Sequence, residues 1–70
     1  MTYQYHVYTT TYTNNNRTTK CERIYKRPGP AHAKALKLKK ADPDRVVGIY
    51  TVDDLGELTN IHYISRDEIC

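Results

Sequence analysis

The stretch PGPAHAKALKLKKA, residues 28–41, determines the fold because it contains the clearest helix signal in the chain. Alanine, leucine and lysine are all strong helix formers. Pro30 suits the first turn of a helix, where the missing N–H of a proline costs nothing. The sequence DPD at 42–44 ends the helix, since the residue before a proline is driven out of the α conformation. We therefore predict one helix over residues 31–41.

This helix is predicted to have one apolar face and one basic face. Successive residues of a helix are separated by about 100° around its axis. The apolar face then contains Ala31, Ala35, Leu38 and, further round, Leu36. The opposite side carries a stripe formed by Lys34, Lys37 and Lys40. We expect the helix to pack on a core through its small and leucine side chains and to present lysines to water.

The segment before the helix is predicted to form a β-hairpin. Residues 3–13 (YQYHVYTTTYT) and 17–27 (RTTKCERIYKR) are rich in side chains that fit a pleated sheet. The three asparagines at 14–16 indicate a turn, because Asn tolerates positive φ. In the first strand, alternation predicts one face with Tyr3, Tyr5 and Val7 and another with His6, Tyr8 and Tyr12. In the second strand Cys21 and Tyr25 are expected to share a face, although Ile24 interrupts the alternation.

The segment after the helix is predicted to form a second hairpin from residues 45–52 (RVVGIYTV) and 57–65 (ELTNIHYIS). The sequence DDLG at 53–56 is typical of a type I turn closed by a left-handed glycine. If Asp53 pairs with Glu57, one face of this hairpin carries Val47, Ile49, Ile61 and Tyr63. The other face carries Val46, Tyr50, Val52, Leu58 and Ile64.

These elements predict an α+β fold of order β-β-α-β-β, a single domain over residues 1–70. Its four-stranded antiparallel sheet consists of two hairpins, with one helix packed on it. One helix covers only one face of such a sheet, yet both faces carry aliphatic and tyrosine side chains. An uncovered apolar face is typical of a surface for a partner or for self-association, which includes a homodimer. The alternatives are that the first hairpin folds over this face, or that the register differs by one residue.

Composition restricts the class of protein. The 70 residues carry a net charge of +3, and no apolar run approaches the roughly 20 residues of a membrane span. The N-terminus lacks the basic and apolar regions of a signal peptide. Two cysteines, Cys21 and Cys70, are too few for a disulfide framework, and we expect free thiols. We expect a soluble, cytoplasmic protein with no membrane partner.

No catalytic or metal-binding motif is evident in the sequence. The three histidines are spread over two strands and the helix, the only serine is Ser65, and no nucleophile turn accompanies them. Zinc sites usually show ligand pairs two to four residues apart, which the cysteines lack. The glycines match no phosphate-binding loop, and Gly48 is expected to mark a bulge or a close approach of the helix. We predict a protein that is not an enzyme and has no cofactor.

Binding is the activity that the residue chemistry favours. Basic side chains crowd positions 20–40, and acidic ones concentrate in the C-terminal half. The candidate basic patch is Arg23, Lys26, Arg27, Lys34, Lys37 and Lys40. The candidate aromatic anchors are Tyr8 and Tyr12. These residues suit a protein or nucleoprotein partner; the alternative is direct nucleic-acid binding, with lysines on phosphates and tyrosines on bases. An ordinary solvated surface is the third interpretation.

The order of elements resembles that of certain small phage-encoded proteins. The residues that carry this resemblance are the strand pairs 3–13 with 17–27 and 45–52 with 57–65, and the basic helix 31–41. The chain is similar in this respect to anti-CRISPR inhibitors of type I surveillance complexes and to other early host-takeover proteins. The resemblance implies a stoichiometric inhibitor of a host protein or nucleoprotein complex, acting in the host cytoplasm. No binding residue is carried over, since no family motif matches position by position.

Overall fold

Four strands and one α-helix follow one another in the predicted order in the computed structural model, which describes residues 2–69. The strands are β1 (Gln4–Thr13), β2 (Asn16–Tyr25), β3 (Val46–Val52) and β4 (Leu58–Tyr63). The helix α1 (Pro28–Ala41) connects the two hairpins, and a short 3₁₀ helix (Arg66–Glu68) follows β4. The strands form one antiparallel sheet of order β2-β1-β3-β4. The α+β prediction is confirmed, and Cys70 lies outside the described residues.

The helix begins three residues earlier than predicted and ends where predicted. It starts at Pro28, because two prolines with φ already fixed can occupy its first turn without losing a hydrogen bond. It ends at Ala41, and the N–H of Asp42 donates to the carbonyl oxygen of Leu38 at 3.3 Å. Within residues 2–69, no helix is long and apolar enough to cross a membrane.

The core lies between α1 and one face of the sheet. Its buried members are Val7, Ala31, Ala35, Val47, Ile49 and Ile64. Because Ala31 and Ala35 are small, the helix backbone can lie close to the central strands. Leu36 and Leu38, predicted on the same helix face, are only partly buried. The third buried helix position is Lys39, whose Nζ donates to the carbonyl oxygen of Arg45 at 2.6 Å.

The first hairpin has the predicted turn but contains one unpredicted bulge. Asn14 and Asn15 adopt φ of 47° and 70°, as a two-residue hairpin loop requires. Val7 pairs with Arg23 but Tyr8 pairs with Cys21, so Glu22 is an extra residue in β2. The prediction that Cys21 and Tyr25 share a face was therefore wrong. Cys21 and Ile24 lie on the face away from the helix, and Tyr25 packs against the core.

The second hairpin also has the predicted turn and an extra residue. Gly56 adopts φ of 83°, and the N–H of Asp53 donates to the carbonyl oxygen of Glu57 at 2.9 Å. Val52 then pairs with Leu58 but Thr51 pairs with Asn60, so the register shifts by one residue. Leu58 shares the face of Val52 as predicted, but the predicted faces of the residues after it were consequently wrong. Ile61 and Tyr63 lie on the face of Tyr50, and Ile64 is buried under the helix.

Candidate binding surface

The sheet face opposite α1 is uncovered in the described part of the chain. We call it the open face, and the strand register assigns to it His6, Tyr8, Tyr12, Arg17, Cys21, Ile24, Tyr50, Ile61 and Tyr63. Both hairpins belong to one sheet, so the first hairpin does not fold over this surface. Large side chains remain accessible here: Tyr12 is 64% exposed, Tyr63 54% and Ile24 51%. The face combines accessible aromatic and aliphatic side chains with polar ones such as Thr10 and Thr19.

Four aromatic rings form a continuous row across the open face. The centroids of Tyr8 and Tyr50 are 4.7 Å apart, and those of Tyr50 and Tyr63 are 6.4 Å apart in an edge-to-face arrangement. His6 stacks on Tyr8 with a centroid distance of 6.2 Å. Such geometries are favourable for aromatic pairs. The rings therefore support one another before any partner arrives.

Gly48 makes room for this row. It pairs with Tyr8 on one side and with Tyr63 on the other. A Cβ atom at this position would lie 3.0 Å from a ring carbon of Tyr50 and 3.2 Å from two of Tyr63. The expected close approach exists, but it involves tyrosine rings on the open face. The prediction that Gly48 accommodates the helix was therefore wrong.

A shallow groove of about 480 Å³ runs beside the aromatic row. It is lined by Thr10, Tyr12, Arg17, Thr19, Val46, Tyr50 and Tyr63. The hydroxyl oxygens of Tyr50 and Tyr63 are 3.4 Å apart. This hydrogen bond, together with burial and the neighbouring tyrosines, raises the pKa of Tyr50, while the positive charge of Arg17 opposes the rise. Arg17 was not predicted as a site residue; its pairing with Tyr12 directly after the turn was the available signal.

The predicted site residues are divided between two surfaces. Tyr8 and Tyr12 lie on the open face, whereas Arg23 lies on the helix side of β2 and stacks over Tyr25 at 5.4 Å. The helix carries Lys34, Lys37 and Lys40, and the connection from β2 to α1 carries Lys26 and Arg27. Within residues 2–69, the ion pairs involve none of these six basic residues. The sheet thus separates the helix lysines from the tyrosine anchors.

A third feature joins elements that are distant in sequence. His32 of α1 and His62 of β4 both approach Glu68, with Nε2–Oε1 distances of 3.5 Å and 3.2 Å. The second oxygen of Glu68 accepts a hydrogen bond from the backbone N–H of Ser65 at 2.8 Å. That N–H and the two imidazoles lower the pKa of Glu68. Sequence spacing did not indicate this cluster, because its members are 6 to 36 residues apart.

No known family model, no characterised protein and no solved structure matches the chain. The resemblance to phage-encoded inhibitors therefore stays a prediction based on the order of elements. The chain presents three surfaces that could bind a partner or ligand: the open face, the basic surface of the helix and the His32–His62–Glu68 cluster.

Proposed function

We propose that this chain is a non-enzymatic binding protein that docks the open face on a protein partner. The observation that carries this proposal is the aromatic row beside Arg17, whose rings are half-buried except for the exposed Tyr63. Tyrosine and arginine are the side chains most often responsible for binding energy in protein interfaces. The rings of Tyr8 and Tyr50 already contact each other, so little side-chain freedom is lost when a partner binds.

The charge of the open face favours a protein over a nucleic acid. Binding of single strands combines stacked bases with several cations on the phosphates. In the strands of the described chain, Arg17 is the only lysine or arginine on this face. The partner that fits is an apolar protein surface. It carries acceptors for hydrogen bonds from the tyrosine hydroxyls and one carboxylate opposite Arg17.

The biological role that we infer is inhibition or modulation of a macromolecular complex. A small domain with a pre-arranged contact surface acts by occupying a site on its partner. The order of elements, which resembles that of phage-encoded inhibitors, supports a target among host proteins or nucleoprotein complexes. The role is stoichiometric, so its effect should saturate at equimolar protein.

The experiment is affinity capture from bacterial lysate with the wild-type chain and two sets of variants. Tyr12→Ala with Tyr63→Ala removes exposed anchors at little cost in stability, because both side chains are more than half exposed. Leu55→Ala is the matched control: it removes an exposed apolar side chain from the turn, away from the open face. We expect the amount of one specific partner captured by the tyrosine variant to fall more than about ten-fold. Truncation of an anchor residue typically costs about 2 kcal/mol or more of binding free energy. Equal capture by both variants would contradict the proposal, as would loss of the partner at about 200 mM salt.

A homodimer through the open face is a distinct outcome of the same design. Light scattering of the purified wild-type chain measures its mass in solution. A doubled mass that Tyr63→Glu reduces to a monomer would assign the open face to a second copy of the chain instead of another protein.

Direct nucleic-acid binding is the second candidate, and the six basic residues that form no ion pair within residues 2–69 favour it. Their site would be the helix side of the molecule, separate from the open face. Fluorescence anisotropy with labelled DNA and RNA at about 50 and about 200 mM salt tests it, because phosphate contacts weaken steeply over this range. We expect Lys34→Glu with Lys37→Glu to abolish such binding, and Arg17→Glu on the open face to be the control that retains it. Absence of binding at low salt would remove this candidate.

A further inference from the structure

His32, His62 and Glu68 present three metal-ligand atoms at one place on the helix side of the sheet. One ring nitrogen of each imidazole and a carboxylate oxygen all lie within 4.8 Å of one another. They come from three elements: α1, β4 and the C-terminal 3₁₀ helix. All three side chains are accessible to solvent, with 29% of the Glu68 side chain exposed. An ion could therefore reach the cluster without any opening of the fold.

The spacing fits a tetrahedral ion closely. With bonds of about 2.0–2.1 Å, two ligands of a tetrahedral zinc ion are about 3.3 Å apart. The distances from Glu68 Oε1 to His62 Nε2 and His32 Nε2 are 3.2 Å and 3.5 Å. The third separation, between a ring nitrogen of each histidine, is within 4.8 Å. The ring centroids are 6.0 Å apart and both rings are half exposed, so small rotations can adjust this separation to the ion.

The surroundings hold the carboxylate in position for a metal. Oε2 of Glu68 is fixed by the backbone N–H of Ser65, which leaves Oε1 directed at the histidines. An ion pair between Arg66 and Asp44 ties the same turn to the loop after α1. Ile64, which directly precedes Ser65, is buried in the core and anchors the start of the turn. Partners that orient a ligand in this way strengthen metal binding.

We propose that His32, His62 and Glu68 form a binding site for one divalent transition-metal ion, with zinc the best match. Two neutral imidazoles and one carboxylate are a ligand set that zinc takes in proteins, with three protein ligands and a fourth position open. Water fills that position in the free chain, or a carboxylate or imidazole of a partner does. The bound ion would join the C-terminal turn to α1 and β4, independently of the open face.

Isothermal titration calorimetry of the full chain with zinc chloride under reducing conditions tests this site, because it measures the affinity and the number of ions bound. The parent protein carries Cys21→Ser and Cys70→Ser, so that thiols do not compete for zinc. We expect one ion per chain, released by a chelator. His62→Ala and Glu68→Gln should each weaken the affinity more than about ten-fold, as loss of even an orienting partner costs that much. His6→Ala is the matched control: it removes the third histidine, on the open face, and should leave the affinity unchanged.

NMR signals of the histidine rings give a second measurement. It uses the wild-type chain, so it does not depend on the stability of the variants. On addition of zinc to the wild-type chain, the ring signals of His32 and His62 should shift together and those of His6 should not. The proposal is overturned if zinc up to about 1 mM produces no heat and no shift. It is equally overturned if the variants of His62 and His6 bind alike, or if the parent with both cysteines replaced binds no zinc.

Discussion

The ring of Tyr8 lies 4.7 Å from the ring of Tyr50, tilted by 43°, across the pairing of β1 with β3. The two tyrosines are not directly opposite in the register; Tyr8 faces Gly48, and Tyr50 reaches back over that glycine. The aromatic row therefore depends on a residue without a side chain. This dependence distinguishes a shaped surface from tyrosines that are exposed by chance.

Gly48→Ala should rearrange the aromatic row without unfolding the protein. The added methyl group would meet ring carbons of Tyr50 and Tyr63 at 3.0–3.2 Å, so the rings must move. Stability should change by less than about 1 kcal/mol, because alanine loses less backbone entropy than glycine on folding and this gain offsets the crowding. Near-UV circular dichroism reports the rings, and urea unfolding reports the stability. Gly56→Ala is the control: its φ of 83° makes alanine costly by about 1 kcal/mol, while the tyrosine spectrum should persist. A tyrosine spectrum that Gly48→Ala leaves unchanged would contradict the arrangement.

Tyr63→Phe should lower the pKa of Tyr50. The hydrogen bond between the two hydroxyls is the largest cause of the raised pKa, and burial adds to it. Because the folded pKa is above the unfolded value of about 10, this stabilisation is complete below pH 10 or so and is lost as pH rises through the folded value. NMR titration with ¹³C-labelled tyrosine measures the change. Tyr12→Phe, which alters a tyrosine of the same groove outside that hydrogen bond, should leave the pKa of Tyr50 unaltered. An equal response to both variants would show that the hydroxyl contact is not the cause.

Local signals in the sequence predicted the elements and turns correctly. Asn14 and Asn15 adopt the positive φ for which asparagine is suited, and Gly56 closes the second hairpin as expected. The proline at 43 ends the helix region after Ala41. Each of these features is determined by residues within a few positions of each other. Such features can therefore be predicted from a short stretch of sequence.

The faces of β2 and β4 could not be predicted in the same way. Each strand contains one extra residue, which is Glu22 in β2 and Thr59 in β4. From an extra residue onward, the side chains that alternation assigns to one face of the sheet lie on the other face. Ile24, which interrupts the alternation, was the only sign of the first bulge. Glu22 accepts a hydrogen bond from the buried Thr9, a contact 13 residues away that alternation does not contain.

The candidate site was predicted only in part for a related reason. Tyr8 and Tyr12 lie on the open face, but their neighbours Tyr50 and Tyr63 come from strands beyond the helix. The sequence analysis assigned the clustered basic residues and these tyrosines to one binding site. In the structure, the sheet separates Lys34 from Tyr8. Proximity in sequence is a poor guide to a surface that is assembled from two hairpins.

Lys39→Ala should destabilise the protein by about 1–2 kcal/mol, unlike substitution of its neighbours in the basic stripe. Its side chain is only 8% exposed, and Nζ donates to the carbonyl oxygen of Arg45. The variant loses both the packing of the aliphatic stem and a charged hydrogen bond. Lys37→Ala is the matched control on the exposed side of the same helix, and it should change stability by less than about 0.5 kcal/mol. Urea unfolding followed by circular dichroism compares the two; equal effects would mean that Lys39 is solvated like Lys37.

Ala35→Leu should destabilise the protein by about 1–3 kcal/mol, because it adds volume where the helix meets the sheet. Ala35 has no exposed surface and belongs to the core with Val7 and Val47. Ala33→Leu makes the same change on the exposed side of α1, where it should cost less than about 0.5 kcal/mol. Denaturant unfolding of both variants measures the difference. Since leucine and alanine are both strong helix formers, the difference reports the helix–sheet contact itself. Two variants of equal stability would place the helix at a greater distance from β1 and β3.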